Sequence, residues 1–147
     1  MFRHPALRPL SREHQQALFH ARELRWHATY RAEGRAPANP GAATAFLAFA
    51  RGTLRAHFER EEKALLPALY GRGPEGAAAA QRLLREHTQL RAEVAALAAA
   101  EPPTAAAELS LAGLLHDHVR YEERELFPLV ERLLSEDELT ELARRLG

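Results

Sequence analysis

The chain has 147 residues, enough for one domain with a sizeable core. Its 20 basic and 20 acidic residues cancel, which argues against a nucleic-acid partner, and the absence of cysteine excludes disulfides, iron–sulfur ligation and thiol chemistry. No apolar run approaches the roughly 18 residues of a membrane span and Met1 to Leu10 lacks the apolar stretch of a signal peptide, so no membrane partner is expected and the cytoplasm is the expected compartment.

Gly and Pro divide the chain at Gly34 to Gly41, Gly71 to Gly76 and Glu101 to Thr104. The intervening blocks are rich in Ala, Leu, Glu, Arg and Gln and poor in β-branched residues, so helices are expected and strands are not. The first block has Leu7, Leu10, His14, Ala17, Ala21, Leu24 and Ala28 at alternating spacings of three and four. The second has Phe46, Ala50, Leu54, His57, Glu61, Leu65 and Ala68. The third has Ala80, Leu83, His87, Leu90, Val94 and Leu97, and the fourth Leu111, Leu115, His118, Glu122, Leu126, Leu129 and Leu133. Four such helices with short links predict an all-α, up-down-up-down four-helix bundle over about 7–134. Ser135 and Glu138 then form a capping box that opens a short C-terminal helix over about 136–146, whose leucines are expected to dock on the bundle or on a partner. The whole of 1–147 is expected to be a single domain.

The two halves repeat each other. Arg12-Glu13-His14-Gln15-Gln16 matches Arg85-Glu86-His87-Thr88-Gln89. The thirteen residues from His57 share five identities with those from His118, in the pattern H-x3-E-E-x2-L-[LF]-P. Helical periodicity accounts for repeated leucines, but not for repeated His and Glu at the same offsets. Residues four apart lie about 40° apart on a helix, so His57 and Glu61 point one way, as do His118 and Glu122. With His14 and His87 they place four imidazoles and two carboxylates on core-facing stripes.

An ionised carboxylate buried alone costs several kcal/mol, by order of magnitude, and a cation removes that cost. Imidazole and carboxylate suit iron, manganese or zinc. Six side chains exceed the needs of one tetrahedral zinc and suit a two-metal site, with ions about 3.5–4 Å apart. If Glu61 and Glu122 both bridge, each ion receives about four protein bonds. Positions then remain for an oxo or hydroxo bridge, water or a small diatomic ligand. Pro67 and Pro128, six residues beyond each glutamate, are expected to kink or end their helices. Glu62 and Glu123 lie about 100° from their ligand neighbours and are expected to face solvent. Glu13 and Glu86 are expected in surface salt bridges, with hydrogen bonding to a neighbouring imidazole as the lesser alternative. His20 and His27 are expected on a solvated face, and His4 in a disordered leader.

At these residues the chain resembles the hemerythrin-like, HHE cation-binding family, over about Leu10 to Leu133. The resemblance implies a non-haem di-iron centre held by His14, His57, Glu61, His87, His118 and Glu122. It implies binding or sensing of O2 or NO; the alternatives are a di-iron enzyme that reduces peroxide, NO or O2, an iron-handling protein, or a redox-inert metal store. A redox partner or a homodimer is compatible with each. Oxygen-carrying relatives place a fifth histidine one turn after the one on the third helix, where this chain has Arg91; the matching position on the first helix is Leu18.

Overall fold

The computed structural model describes residues 2–147. The described residues form five helices and no strand: α1 (Arg8–Ala32), α2 (42–70), α3 (Gly73–Ala99), α4 (105–133) and α5 (Glu136–Leu146). α1 and α3 each pack between α2 and α4, which gives the expected four-helix bundle with antiparallel neighbours. Among the described residues no helix is long and apolar enough to cross a membrane.

The helix ends follow local chemistry. Pro9 lies in the first turn of α1, where its missing N–H costs nothing. Gly34 follows α1 at φ 71°, a left-handed conformation suited to glycine. Thr104 Oγ1 accepts the Ala107 N–H at 3.0 Å at the start of α4. The link from α2 to α3 is short, and Gly76 lies so close to the Leu69 carbonyl that a Cβ there would clash with it.

Two of the long helices contain a π-helical turn, Ala50–Leu54 in α2 and Glu122–Leu126 in α4. The sequence repeat does not superpose them. The position matching Ala50–Leu54 is 111–115, which is α-helical, and the position matching Glu122–Leu126 is 61–65, also α-helical. Neither proline ends its helix: α2 runs through Pro67 to Tyr70, and α4 continues from Pro128 to Leu133. Of the two expected outcomes, a kink or an end, the end does not occur, because buried residues on both sides of each proline, Leu65 with Leu69 and Phe127 with Val130, outweigh one missing hydrogen bond.

The core is split into two apolar clusters. One gathers Leu10, Leu65, Leu83, Leu126 and Phe127 with the buried face of α5. The other gathers Ala17, Leu54, Phe58, Leu90 and Leu115. On each long helix a polar core residue separates the two: His14 on α1, Glu61 on α2, His87 on α3 and Glu122 on α4. The polar layer is therefore enclosed at both ends by hydrocarbon.

The capping box opens α5 as expected: Ser135 Oγ accepts the Glu138 N–H at 3.2 Å and Glu138 Oε1 accepts the Ser135 N–H at 2.9 Å. α5 docks on α2, with Leu139, Leu142 and Leu146 buried in the first cluster. Leu142→Ala is expected to cost about 2–4 kcal/mol, read as a lowered denaturant midpoint with an unchanged slope.

Candidate metal centre

All six core-facing residues singled out in the sequence come together at mid-height, and all are buried. Their ring nitrogens and carboxylate oxygens form two groups, His14–His57–Glu61–Glu122 and Glu61–His87–His118–Glu122, with the facing atoms of each group within 4.8 Å of one another. Glu61 and Glu122 belong to both groups. Glu122 Oε1 lies 2.8 Å from His14 Nε2, and Oε2 lies 2.7 Å from His118 Nε2. Glu61 repeats the arrangement, with Oε1 3.1 Å from His87 Nε2 and Oε2 3.2 Å from His57 Nε2. The approximate two-fold symmetry of the sequence thus reappears in the site, each carboxylate spanning one imidazole from each half.

The outward nitrogens are equally ordered. Each Nδ1 faces a glutamate: His57 to Glu13 at 2.9 Å, His118 to Glu86 at 2.7 Å, His87 to Glu62 at 2.6 Å and His14 to Glu123 at 2.5 Å. An Nδ1–H donated to a carboxylate fixes the tautomer that leaves Nε2 with a lone pair directed inward. Each of these glutamates is in turn paired with an arginine. Glu13 pairs with Arg60, and Glu86 accepts from Arg82 at 2.8 Å. Glu62 accepts from Arg91 at 2.7 Å, and Glu123 lies 3.3 Å from Arg3 while accepting the Ser11 hydroxyl at 2.7 Å.

These contacts correct several expectations. Glu62 and Glu123 turn inward across a helix boundary, and Glu13 and Glu86 hold imidazoles as well as arginines. His4 is tied down, its N–H donated to Glu131 at 2.6 Å and its ring 3.1 Å from Glu136. Arg91 occupies the position of the fifth histidine, and its guanidinium turns outward to support His87 through Glu62.

The electrostatics of the protein alone express a demand for positive charge. Burial by itself would raise Glu122, but the positive charge of His118, with the hydrogen bond from His14, holds it well below the usual carboxylate range. Burial by itself would lower His118, but Glu122 and Glu86 overcome that and push it up to about 10. His57 is raised well above its ordinary value despite burial, chiefly by Glu61. His14 and His87 are raised despite burial as well, His14 mainly by its hydrogen bond to Glu122 and His87 by the nearby Glu122 and Glu61 carboxylates. Glu13, Glu62, Glu86 and Glu123 are all lowered, the pull of their His and Arg partners outweighing burial.

Hydrogen bonding does not satisfy the centre. His57 Nε2, His87 Nε2, His118 Nε2, both Glu61 oxygens and Glu122 Oε2 are buried without a hydrogen-bond partner. Buried polar groups are rarely left so, and these share one focus. Donor type, number and unmet atoms all fit metal cations. Aromatic rings close the flanks: Phe58 stacks on His87 at 3.9 Å and Phe127 on His14 at 5.4 Å.

A separate polar cluster lies toward the far end of α1. Glu108 is fully buried, accepts from Arg31 at 2.5 Å and lies 3.4 Å from the buried His27; Arg31 also donates to the Pro103 carbonyl at 2.7 Å. His27 is thus not on the solvated face. A signal was present, since Glu108 extends the α4 stripe three residues before Leu111 and His27 falls beside Leu24 and Ala28. Trp26 and Tyr70 are exposed, whereas Tyr121 is buried with the Arg82 guanidinium 3.7 Å from its ring centre.

No curated protein and no solved structure matches the chain. The model of the hemerythrin HHE cation-binding domain matches residues 5–130, which takes in α1 to α3, most of α4 and all six converging residues. With that match spanning most of its length, the chain belongs to the hemerythrin HHE cation-binding domain family.

Proposed function

We propose that the chain, acting as a single domain, holds two iron ions side by side and takes up a small diatomic ligand, O2 or NO, there. The observation that carries this reading is the pair of four-residue groups with Glu61 and Glu122 in common. His14 and His57 would serve one ion, His87 and His118 the other, and the two carboxylates would bridge them. Imidazole and carboxylate donors suit iron, and membership of a cation-binding family supports the same choice. Bound iron would supply the redox-active, ligand-accepting centre.

The remaining work falls to the chain. Four Nδ1–H···carboxylate bonds hold the imidazoles in orientation and raise their basicity. Phe58, Phe127 and the two apolar clusters exclude bulk water and favour a small, weakly polar ligand over a hydrated ion. Each group offers four side chains, fewer than six, so ligand uptake would require no protein donor to leave. Arg91 adds no metal donor, since its guanidinium stays protonated and offers no lone pair, and it is engaged instead by Glu62.

Two measurements bear on this. Anaerobic purification followed by metal analysis should return about two irons per chain. Rapid mixing of the reduced, iron-loaded protein with O2 or NO should then change the optical spectrum. A well-folded protein that retains zinc alone, or an iron form inert to both gases, would remove the reading. Loss of an outer support should weaken metal binding without dismantling the fold: Glu86→Ala is expected to lower affinity about 10–100-fold, read by competition with a chelator.

A further inference from the structure

The internal repeat creates two grooves at matching places, and only one is built for an apolar guest. A groove of about 600 Å³ lies between α2 and α3, bounded on α3 by Arg91, Val94, Ala95, Ala98 and Ala99. Its twin, of about 630 Å³, lies between α4 and α1, where Leu18, Ala21, Arg22, Arg25 and Trp26 occupy the same five register positions. Two alanines of the first groove, Ala95 and Ala98, are therefore arginines in the second. The first has a mostly apolar lining; the second is half polar.

The helices confirm that the difference is structural as well as compositional. The π-turn Ala50–Leu54 supplies three residues to the first groove, Ala50, Arg51 and Leu54, whereas the matching turn of α4 is α-helical. Widened turns of this kind are frequent at functional sites. The groove floor includes Phe58, the ring stacked on His87, so the groove and the metal centre share a wall.

Its rim carries Arg51, Arg55, Arg91 and a single acid, Glu59. Arg55 donates to Glu59 at 3.1 Å and Arg91 to Glu62 at 2.7 Å. Arg51 makes no ion pair or side-chain hydrogen bond among the described residues. An apolar trough of ligand size with an unpaired cation at its edge is complementary to a small amphipathic anion. A second copy of the chain would bring like-charged rims together, which disfavours self-association there.

We propose that this groove binds a small amphipathic carboxylate, with an aliphatic or aromatic body against Leu54, Phe58 and Val94 and the carboxylate at Arg51. The site is distinct from the metal centre, and binding there does not require metal.

Calorimetric titration of the full chain with decanoate tests it. Wild type should bind with a Kd of about 0.1 mM and bind decyltrimethylammonium at least about ten-fold more weakly. Arg51→Glu should reverse that preference. Ala98→Phe should fill the trough and abolish binding of both, with circular dichroism reporting an intact fold. Arg25→Phe, at the matching position of the twin groove, should leave decanoate binding unchanged. No saturable heat from wild type, equal affinity for the two amphiphiles, or equal effects of Ala98→Phe and Arg25→Phe would overturn the proposal. So would a dimer in sedimentation that Ala98→Phe alone dissociates.

Discussion

Glu122→Ala is expected to empty both metal positions, whereas His87→Ala is expected to empty one. Glu122 lies within reach of all four imidazoles, 2.8 Å from His14, 2.7 Å from His118, 3.8 Å from His57 and 3.7 Å from His87. Its removal takes a donor from both four-residue groups, and His87 belongs to only one. Loss of a direct donor should exceed the roughly 10–100-fold effect of losing an outer partner. After dialysis, elemental analysis should find about two ions per chain in wild type, close to none in Glu122→Ala and about one in His87→Ala. Retention of one ion by the glutamate variant, with none in the histidine variant, would show that the two positions do not share that carboxylate.

Stripping the metal should lower the melting temperature substantially and make it depend on pH. Ligation confined to the folded state contributes about 4 kcal/mol per ion when free metal exceeds Kd 1,000-fold. Two ions at roughly 2–4 °C per kcal/mol for a chain of this size give about 15–30 °C. In the stripped protein the imidazoles become the counter-cations of Glu61 and Glu122. The raised His118, at about 10 against an ordinary 6.5, stabilises the fold fully below pH 6.5, and that contribution is lost as pH rises toward 10. The lowered Glu122 stabilises above its ordinary 4.5, and that contribution is lost as pH falls further. Scanning calorimetry of chelated protein should therefore find a plateau between pH 4.5 and 6.5 and a decline on both sides. A stripped protein as heat-resistant as the loaded one would show that metal contributes nothing to the fold.

The bundle and the inner set of the centre could be read from the sequence because both depend on periodicity along single helices. His57 with Glu61 and His118 with Glu122 sit four apart, and their stripes assign them to the core. The four outer carboxylates could not be read this way. Glu13, Glu62, Glu86 and Glu123 each adjoin a core residue and lie about 100° around the helix from it, which on an isolated helix means solvent. In a bundle, a residue at the edge of the buried stripe faces the neighbouring helix. There each glutamate meets the outward nitrogen of an imidazole carried by that neighbour. Two of the partner arginines were hidden for the same reason, since Arg91 with Glu62 joins α3 to α2 and Arg60 with Glu13 joins α2 to α1, whereas Arg82 and Glu86 sit four apart on one helix. The π-turns have no counterpart in the repeat, which is symmetric where they are not. His27 and Glu108 were on the stripes, but at the ends, where a stripe read from its middle loses register.

The four supports of the imidazoles are not anchored alike. Arg60, Arg82 and Arg91 project from the long helices, whereas Arg3 reaches Glu123 from the stretch ahead of α1 and packs over Phe127. Mechanical load applied to that stretch, by a tether or a docked neighbour, is transmitted to His14 first. A label joined after α5 would instead pull on a leucine seam. Two otherwise identical preparations, tagged at opposite ends, should hence differ in how firmly the His14 corner is held.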